Sequence, residues 1–202
     1  MNHFNIIIGI SILLSLVSCE KKPWLEDEYK KVADQINGVY AIYDARWEGE
    51  PVDLNNDGKA STDFMQEFSD RIDAGKLYVQ EAIYIPDLSP KVLNYIADIP
   101  FQKILKNGVV DNSKNPSQVT SRFLGYYTIN QKLEIVLEGP MTLLYISDKE
   151  YYQDIEYLKS KPVLKLAGNG LLEISFNMTV YDYSTEAWKT APLTWYYKRC
   201  GY

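Results

Sequence analysis

The chain of 202 residues carries 27 acidic and 21 basic side chains, so its formal charge is −6 at pH 7. Such a surface is a poor partner for nucleic acid or anionic lipid, because both are themselves negatively charged. The single histidine, His3, precedes the expected folded part, which excludes histidine triads, histidine bases and the usual zinc sites.

The N-terminal segment predicts export and a lipid anchor. Residues 6–17 form an apolar run that is too short to cross a bilayer of about 30 Å and is typical of a secretory signal peptide. The run ends in Leu16-Val17-Ser18-Cys19, which resembles the lipobox of bacterial lipoproteins. That resemblance implies a signal peptide over residues 1–18, a lipidated N-terminal Cys19 and a tether over residues 19–23. The alternative is an ordinary secretory signal beside which Cys19 lies by chance.

Two further expectations concern location and disulfides. Glu20 replaces the aspartate that is associated with inner-membrane retention in enteric lipoproteins, so the resemblance implies an outer-membrane location. If Cys19 carries lipid, Cys200 has no partner in the chain, and no internal disulfide stabilises the fold. We therefore expect a protein tethered to the membrane by acyl chains rather than one that spans it.

The first folded elements are predicted to be a helix and a strand. Apolar residues from Leu25 to Ile36 recur at helical spacing, and Asn37-Gly38 is typical of a helix end. This amphipathic helix should brace or close one end of the domain. From Val39 the apolar period changes to two, which predicts a strand to about Trp47.

A loop rich in aspartate and asparagine follows this strand. Oxygen-bearing side chains stand at alternating positions and include Asp57-Gly58, a pattern typical of a chain wrapped around a hard cation. Compared with an EF-hand or dockerin-type calcium loop, it has its closing acid one residue early and lacks an entering helix. The predicted calcium ligands, with Lys59 contributing its carbonyl oxygen, are Asp53, Asn55, Asp57, Lys59, Ser61 and Asp63.

The same loop has a second interpretation that involves no metal. Asn56-Asp57-Gly58 would form a tight turn. Ser61 or Asp63 would cap the short helix predicted from Phe64, with Asp63 and Gln66 approximating a capping box. Both interpretations use Asp63, and the sequence leaves them open.

Beyond residue 76 the pattern predicts β-structure. About eight to ten strands joined by short turns, with no helices between them, indicate an antiparallel meander that closes into a barrel or folds into a sandwich. Residues 106–121 are the most loop-like part of this region. The predicted strands cover residues 78–85, 93–96, 99–101, 122–129, 132–137, 141–146, 163–167, 172–180 and 193–198.

The combination of lipobox, Asp/Asn loop and C-terminal hairpin defines a resemblance. The hairpin reads Tyr181-Asp182-Tyr183-x-Thr185-x-x-Trp188. Together these segments resemble the uncharacterised lipocalin-like, calycin-type lipoproteins of Gram-negative bacteria. The resemblance implies an all-β, lipocalin-like barrel as a single domain over residues 24–202. It transfers no ligand residues.

Three functions are compatible with these observations. The first is a cell-envelope binding protein with a small apolar ligand in the barrel, against which stands an interior filled by residues such as Phe176 and Trp195. The alternative is a surface protein that binds a glycan or a partner through outward rings of its 17 tyrosines. The third is a glycosidase with a carboxylate pair drawn from Glu134, Glu138 and Glu173. We expect no enzyme, because these acids show no identifying spacing.

Overall fold

The computed structural model describes residues 23–68, 72–80, 93–102, 118–130, 132–137, 141–146, 158–167 and 169–200. The predicted signal peptide, Cys19 and Glu138 lie outside these residues, as do residues 81–92 and most of the loop predicted over residues 106–121.

The described helices are few and short. Helix α1 covers Pro23–Ile36, so it begins one residue before Trp24, from which the sequence predicts it, and inside the expected tether. Helix α2 covers Phe64–Glu67, and a single turn of 3-10 helix covers Ile72–Ala74. Both predicted helices are therefore present, one before the first strand and one after it.

In the described residues, nine antiparallel strands form one sheet. Hydrogen-bonded neighbours follow the order β5-β4-β3-β2-β1-β9-β8-β7, and β6 pairs with β4. The strands are β1 Gly38–Trp47, β2 Lys76–Gln80, β3 Leu93–Gln102, β4 Gln118–Ile129, β5 Ile135–Leu137, β6 Thr142–Ile146, β7 Val163–Leu166, β8 Leu172–Asp182 and β9 Ala187–Arg199.

The sheet curls into a nearly closed barrel, which confirms the predicted fold class. Among the described residues, two sets of hydrogen bonds join the β3–β6 side of the sheet to the β7–β8 side. The amide of Met141 donates to the Pro162 carbonyl at 2.7 Å. The Gln102 carboxamide bonds both backbone groups of Tyr181, with Nε2 donating at 2.9 Å and Oε1 accepting at 2.8 Å. Gln102 thus bonds the backbone of β8 at Tyr181 as a neighbouring strand would.

Several strand boundaries differ from the prediction. Strand β4 begins at Gln118 rather than at residue 122, so residues 118–121 are strand and not part of the loop predicted over residues 106–121. The last strand was expected to begin at residue 193 but begins at Ala187, because residues 187–192 continue the β8 ladder across the hairpin. Pro192 is accommodated opposite Asn177, and its carbonyl accepts the Glu48 amide at 3.0 Å. The expected break within β3 is absent. Strand β5 starts only at Ile135, since Leu133 has a φ of 63° within the turn.

Aromatic side chains fill the described interior of the barrel. The Tyr197 hydroxyl donates to the Asp98 carbonyl at 3.3 Å, so this ring crosses from β9 to β3. Phe101 lies between Phe123 and Phe176, with ring centroids 6.0 and 5.9 Å away. The largest fully buried side chains include Trp195, Tyr95, Tyr127, Tyr197, Phe64, Phe68 and Phe123.

Helix α1 braces one end of the barrel, as predicted. The Tyr40 hydroxyl donates to the Ile36 carbonyl at 2.7 Å, and the Tyr127 hydroxyl donates to Asn37 Oδ1 at 3.1 Å. The Arg199 guanidinium, at the end of β9, donates to carbonyls in the last turn of α1. A cation at this position also interacts favourably with the helix dipole.

Helix α2 covers the opposite end. Phe64 stacks on Trp47 with ring centroids 4.9 Å apart, and Phe68 meets Trp195 edge-on at 5.7 Å. Both phenylalanines are fully buried. The end of the barrel that follows β1 is therefore closed by an aromatic cluster.

The buried hydroxyl of Tyr95 provides a test of whether water or a ligand occupies the interior of the barrel. The Tyr95 ring lies over Gly125, where an added Cβ would be 2.1 Å from Cζ, and its buried hydroxyl has no hydrogen-bond partner among the described residues. Burial raises the pKa of Tyr95 to about 12. Because an unpaired buried hydroxyl is destabilising, we expect Tyr95→Phe to raise the free energy of unfolding by about 1 kcal/mol in urea titrations.

Tyr127→Phe is the matched control. The Tyr127 hydroxyl is bonded to Asn37, so its removal should lower the free energy of unfolding by about 1 kcal/mol. An equal loss in both variants would instead mean that a buried water or ligand satisfies Tyr95.

Candidate binding site at the loop and hairpin end

The two segments that carry the sequence resemblance meet at one end of the barrel. The Asp53 amide donates to Asp182 Oδ1 at 2.9 Å, and the Tyr183 amide donates to the Asp53 carbonyl at 2.9 Å. Lys189 Nζ donates to the Pro51 carbonyl at 3.1 Å. Residues 51–63 and 181–189 thus form a single structure, which we call the loop–hairpin unit.

Asp182 holds this unit together. Its side chain is fully buried and accepts hydrogen bonds from the Ser184 hydroxyl at 2.8 Å and the Thr185 hydroxyl at 2.6 Å. Lys189 Nζ lies 2.9 Å from Oδ2. Burial alone would raise the pKa of Asp182, but the hydrogen bonds from Thr185, the Asp53 amide, Lys189 and Ser184 outweigh burial and hold it well below its usual value. Asp182 is therefore an ionised structural centre.

Within the loop, the predicted ligand oxygens accept backbone hydrogen bonds. Asp53 accepts the amides of Asp57 at 3.2 Å and Gly58 at 2.9 Å. Asn55 Oδ1 accepts the Asp57 amide at 3.0 Å, and Asp57 Oδ1 accepts the Lys59 amide at 2.8 Å. Gly58 has a φ of 84°, which glycine adopts at little cost. The predicted tight turn is therefore present.

Asp63 is the N-cap of α2. Its Oδ1 accepts the amides of Met65 at 3.0 Å and Gln66 at 3.3 Å, and its own amide donates to Ser61 Oγ at 2.9 Å. These bonds satisfy donors at the helix N-terminus that have no partner within the helix. The helix-cap interpretation of Asp63 is confirmed.

The calcium interpretation stays a prediction. Asp53, Asn55, Asp57, Lys59, Ser61 and Asp63 all lie in the loop or at its end. In the part of the chain that the structure describes, no group of three or more acidic, histidine or cysteine side chains is arranged to hold a metal ion.

Sequence reasoning missed Glu67, the acid that turns back onto the loop. Its side chain is buried, and Oε2 accepts the Leu54 amide at 2.8 Å. Burial, and then repulsion from Asp53 and Asp57, raise the pKa of Glu67 to about 7. The spacing of an EF-hand indicated Asp63 as the closing acid. The signal that could have identified Glu67 is an acid one turn into the following helix.

The outer face of the hairpin carries an aromatic cluster. Tyr181 meets Tyr183 and Trp188 edge-on, with ring centroids 5.3 Å away in each case. Trp188 is 43% exposed and the two tyrosines are partly exposed. These rings point outward because their neighbours Val180 and Asp182 are buried. We call Tyr181, Tyr183 and Trp188 the hairpin aromatic cluster.

In two pairs of adjacent tyrosines, one ring lies on each face of the sheet, because successive side chains of a strand point to opposite faces. Tyr126 is 43% exposed whereas Tyr127 is fully buried, and Tyr196 is partly exposed beside the buried Tyr197. Tyr43 is the most exposed large apolar residue of the described part at 56%, and Lys198 Nζ lies 5.2 Å above its ring. The outer surface therefore offers aromatic contacts beyond the hairpin.

Comparisons with known proteins give no identity: no protein family, curated protein or solved structure matches this chain. In the described residues, no helix combines the length and apolar character needed to cross a bilayer. Fold and site together define an antiparallel β-barrel with a buried aspartate at the centre of one end.

Proposed function

We propose that the protein is a lipid-anchored cell-envelope binding protein that recognises its partner on the outer surface of the barrel, at the hairpin aromatic cluster. The observation that carries this proposal is the exposed Trp188 ring, which meets Tyr181 edge-on at 5.3 Å and lies beside a hairpin turn whose Ser184 hydroxyl is bonded to Asp182. Rigid aromatic side chains give large contact area at low entropic cost.

The partner class that fits this surface is a neutral glycan. Aromatic rings stack on the apolar faces of sugars, and the acidic side chains around the cluster disfavour anionic partners. Glu50 is exposed close to Lys189, and Glu186 is exposed in the turn. Binding of a glycan by outward aromatic rings is the second of the three functions that the sequence allows.

An apolar ligand inside the barrel remains a prediction without comparable support. The described interior is occupied by rings such as Tyr197 and Trp195, and α2 covers the end after β1. The Tyr95→Phe variant tests this prediction, because a ligand that bonds the buried Tyr95 hydroxyl would turn the expected gain in the free energy of unfolding into a loss. The resemblance to lipocalin-like lipoproteins and the outer-membrane location also remain proposals, supported by the lipobox and by the loop and hairpin motifs.

The test of surface recognition uses two exposed aromatic residues. Two neutral ligands are used, oligosaccharides of N-acetylglucosamine and of glucose. We expect titration calorimetry to show that the wild type binds one of them. Trp188→Ala should weaken this binding at least tenfold, as expected for an aromatic contact worth about 1.4 kcal/mol or more. Tyr43→Ala is the matched control, because Tyr43 is exposed on β1 outside the loop–hairpin unit, and it should leave binding unchanged. Equal losses, or no binding of either sugar, would contradict the proposal.

A structural calcium ion in the loop is a second proposal. Its support is donor chemistry: carboxylate, amide and hydroxyl oxygens at alternating positions are what calcium prefers. Glu67, close enough to Asp53 and Asp57 to be repelled by both, is a better closing acid than Asp63, whose carboxylate caps α2.

A further inference from the structure

The candidate site and helix α1 lie at opposite ends of the barrel. Strand β9 begins at Ala187, next to the hairpin turn, and ends at Arg199, whose guanidinium contacts the last turn of α1. Strand β1 runs the opposite way, from Gly38 beside α1 to Trp47 before the loop. Thirteen residues of tilted strand separate the ends by roughly 30 Å.

Helix α1 cannot swing freely about its junction with β1. Ala33 and Ile36 are buried and Val32 packs against the core. The Cys200 amide donates to the Val39 carbonyl at 2.8 Å, so the C-terminal end of the chain also fixes the junction. The position of α1 therefore defines one end of a rigid body.

The chain between Cys19 and α1 is short. Pro23 begins the helix and stands four residues after Cys19. Four residues reach at most about 14 Å when fully extended. A lipid on Cys19 would hold the start of α1 within that distance of the bilayer surface.

Charge favours the same orientation. Residues 48–67 contain six acidic side chains and one lysine, so the loop end is repelled by anionic lipid head groups. Residues 20–36 contain five acidic side chains and four lysines, among them Lys21 and Lys22 next to Glu20. The anchored end therefore carries a net charge of −1 against −5 at the loop end, and anionic head groups repel it far less.

We propose that the α1 end of the barrel faces the anchoring membrane and that the loop–hairpin unit points away from it. The inference rests on the lipid anchor of the proposed function. Its consequence concerns the partner: the hairpin aromatic cluster binds a component beyond the lipid head groups, and not a lipid of the membrane that holds the protein.

Fluorescence quenching tests the orientation in the full, lipidated protein. Two variants, each combined with Cys200→Ser, carry one thiol-reactive fluorophore: Lys31→Cys on α1, where the native side chain is 68% exposed, and Ala60→Cys on the exposed loop. The protein is reconstituted into vesicles of phosphatidylethanolamine and phosphatidylglycerol that contain head-group spin-labelled lipid. We expect quenching at residue 31 to exceed that at residue 60 at least threefold.

Equal or reversed quenching would overturn the proposed orientation. The Cys19→Ser variant tests the lipid anchor separately from the orientation. Without the lipid, the protein should no longer float with the vesicles. If Cys19→Ser still binds them as the lipidated protein does, the anchor fails and the orientation fails with it. If anchoring depends on Cys19 but the two probes respond alike, only the orientation is wrong, and the glycan test stands independently.

Discussion

We expect Asp182→Asn to lower the free energy of unfolding by about 3 kcal/mol, the cost typical of breaking a buried, hydrogen-bonded ion pair. The Asp182 carboxylate accepts from donors on both the loop and the turn. An asparagine keeps the shape but turns an NH₂ group toward one of those donors, and it leaves Lys189 with the exposed Glu50 at 3.7 Å in place of the buried anion at 2.9 Å. Urea titration at pH 7 measures the loss.

Asp44→Asn is the control for this prediction. Asp44 is exposed, and its Oδ1 accepts only the neighbouring Ala45 amide among its described contacts, so its replacement should change stability by less than about 0.5 kcal/mol. Similar effects of the two substitutions would mean that Asp182 does not hold the unit together.

The direction of the Asp182 pKa shift adds a pH signature. Because its folded pKa lies below the usual aspartate value of 3.8, the ionised form stabilises the protein above that pH. This contribution is lost as the pH falls through and below it. The difference in stability between the wild type and Asp182→Asn should therefore shrink in acid.

Glu67 should produce the opposite pH dependence. Its folded pKa of about 7 lies above the usual glutamate value of 4.5, so the folded protein holds this proton more tightly than the unfolded chain. In EDTA, Glu67 should therefore lower stability as the pH rises from about 4.5 to about 7, by on the order of 3 kcal/mol in total. Thermal or urea unfolding between pH 4 and pH 8 measures this slope.

Glu67→Gln isolates the contribution of the charge. The amide oxygen of glutamine can still accept the Leu54 amide, so this variant should match the wild type near pH 4 and exceed its stability at pH 8. Glu48→Gln, at an exposed position, should follow the wild-type curve throughout. A wild-type curve without this slope would show that Glu67 is not protonated in the folded protein.

Calcium distinguishes the two interpretations of the loop in the same experiment. An ion bound only to the folded state stabilises it by mass action. The calcium proposal therefore predicts a higher unfolding midpoint at pH 8 with millimolar calcium and no rise with magnesium. Asp57→Ala and Glu67→Gln should each abolish it. If calcium has no effect on the wild type, the loop is a turn and a helix cap alone.

The sequence predicts the barrel because its strands have a simple physical signature. In β8, buried residues from Leu172 to Val180 alternate with partly exposed ones along most of the strand, and this alternation is visible as apolar and polar letters. Helix α1 shows the corresponding helical spacing. The start of β9 was missed because Pro192 interrupts the pattern, although its neighbours still pair with β8.

The site was predicted less completely than the fold, because its contacts join residues far apart in sequence. Asp53 and Asp182 are 129 positions apart, and neither spacing nor periodicity links them. The two motifs were visible separately, but their meeting was not. Glu67 was missed for a related reason: its burial depends on how α2 folds back over the loop.

The position of β9 in the sheet constrains how the chain can fold. Strand β9 lies between β1 and β8, so β1 has no partner on that side until residues 187–199 have been made. Pairings such as Tyr40 with Arg199 close a loop of almost the whole domain, and contacts of such long range slow folding. The barrel therefore cannot close before β9 has been made. For the proposed export this order matters, because a polypeptide that stays open until β9 arrives is one that a secretion channel can pass before it folds.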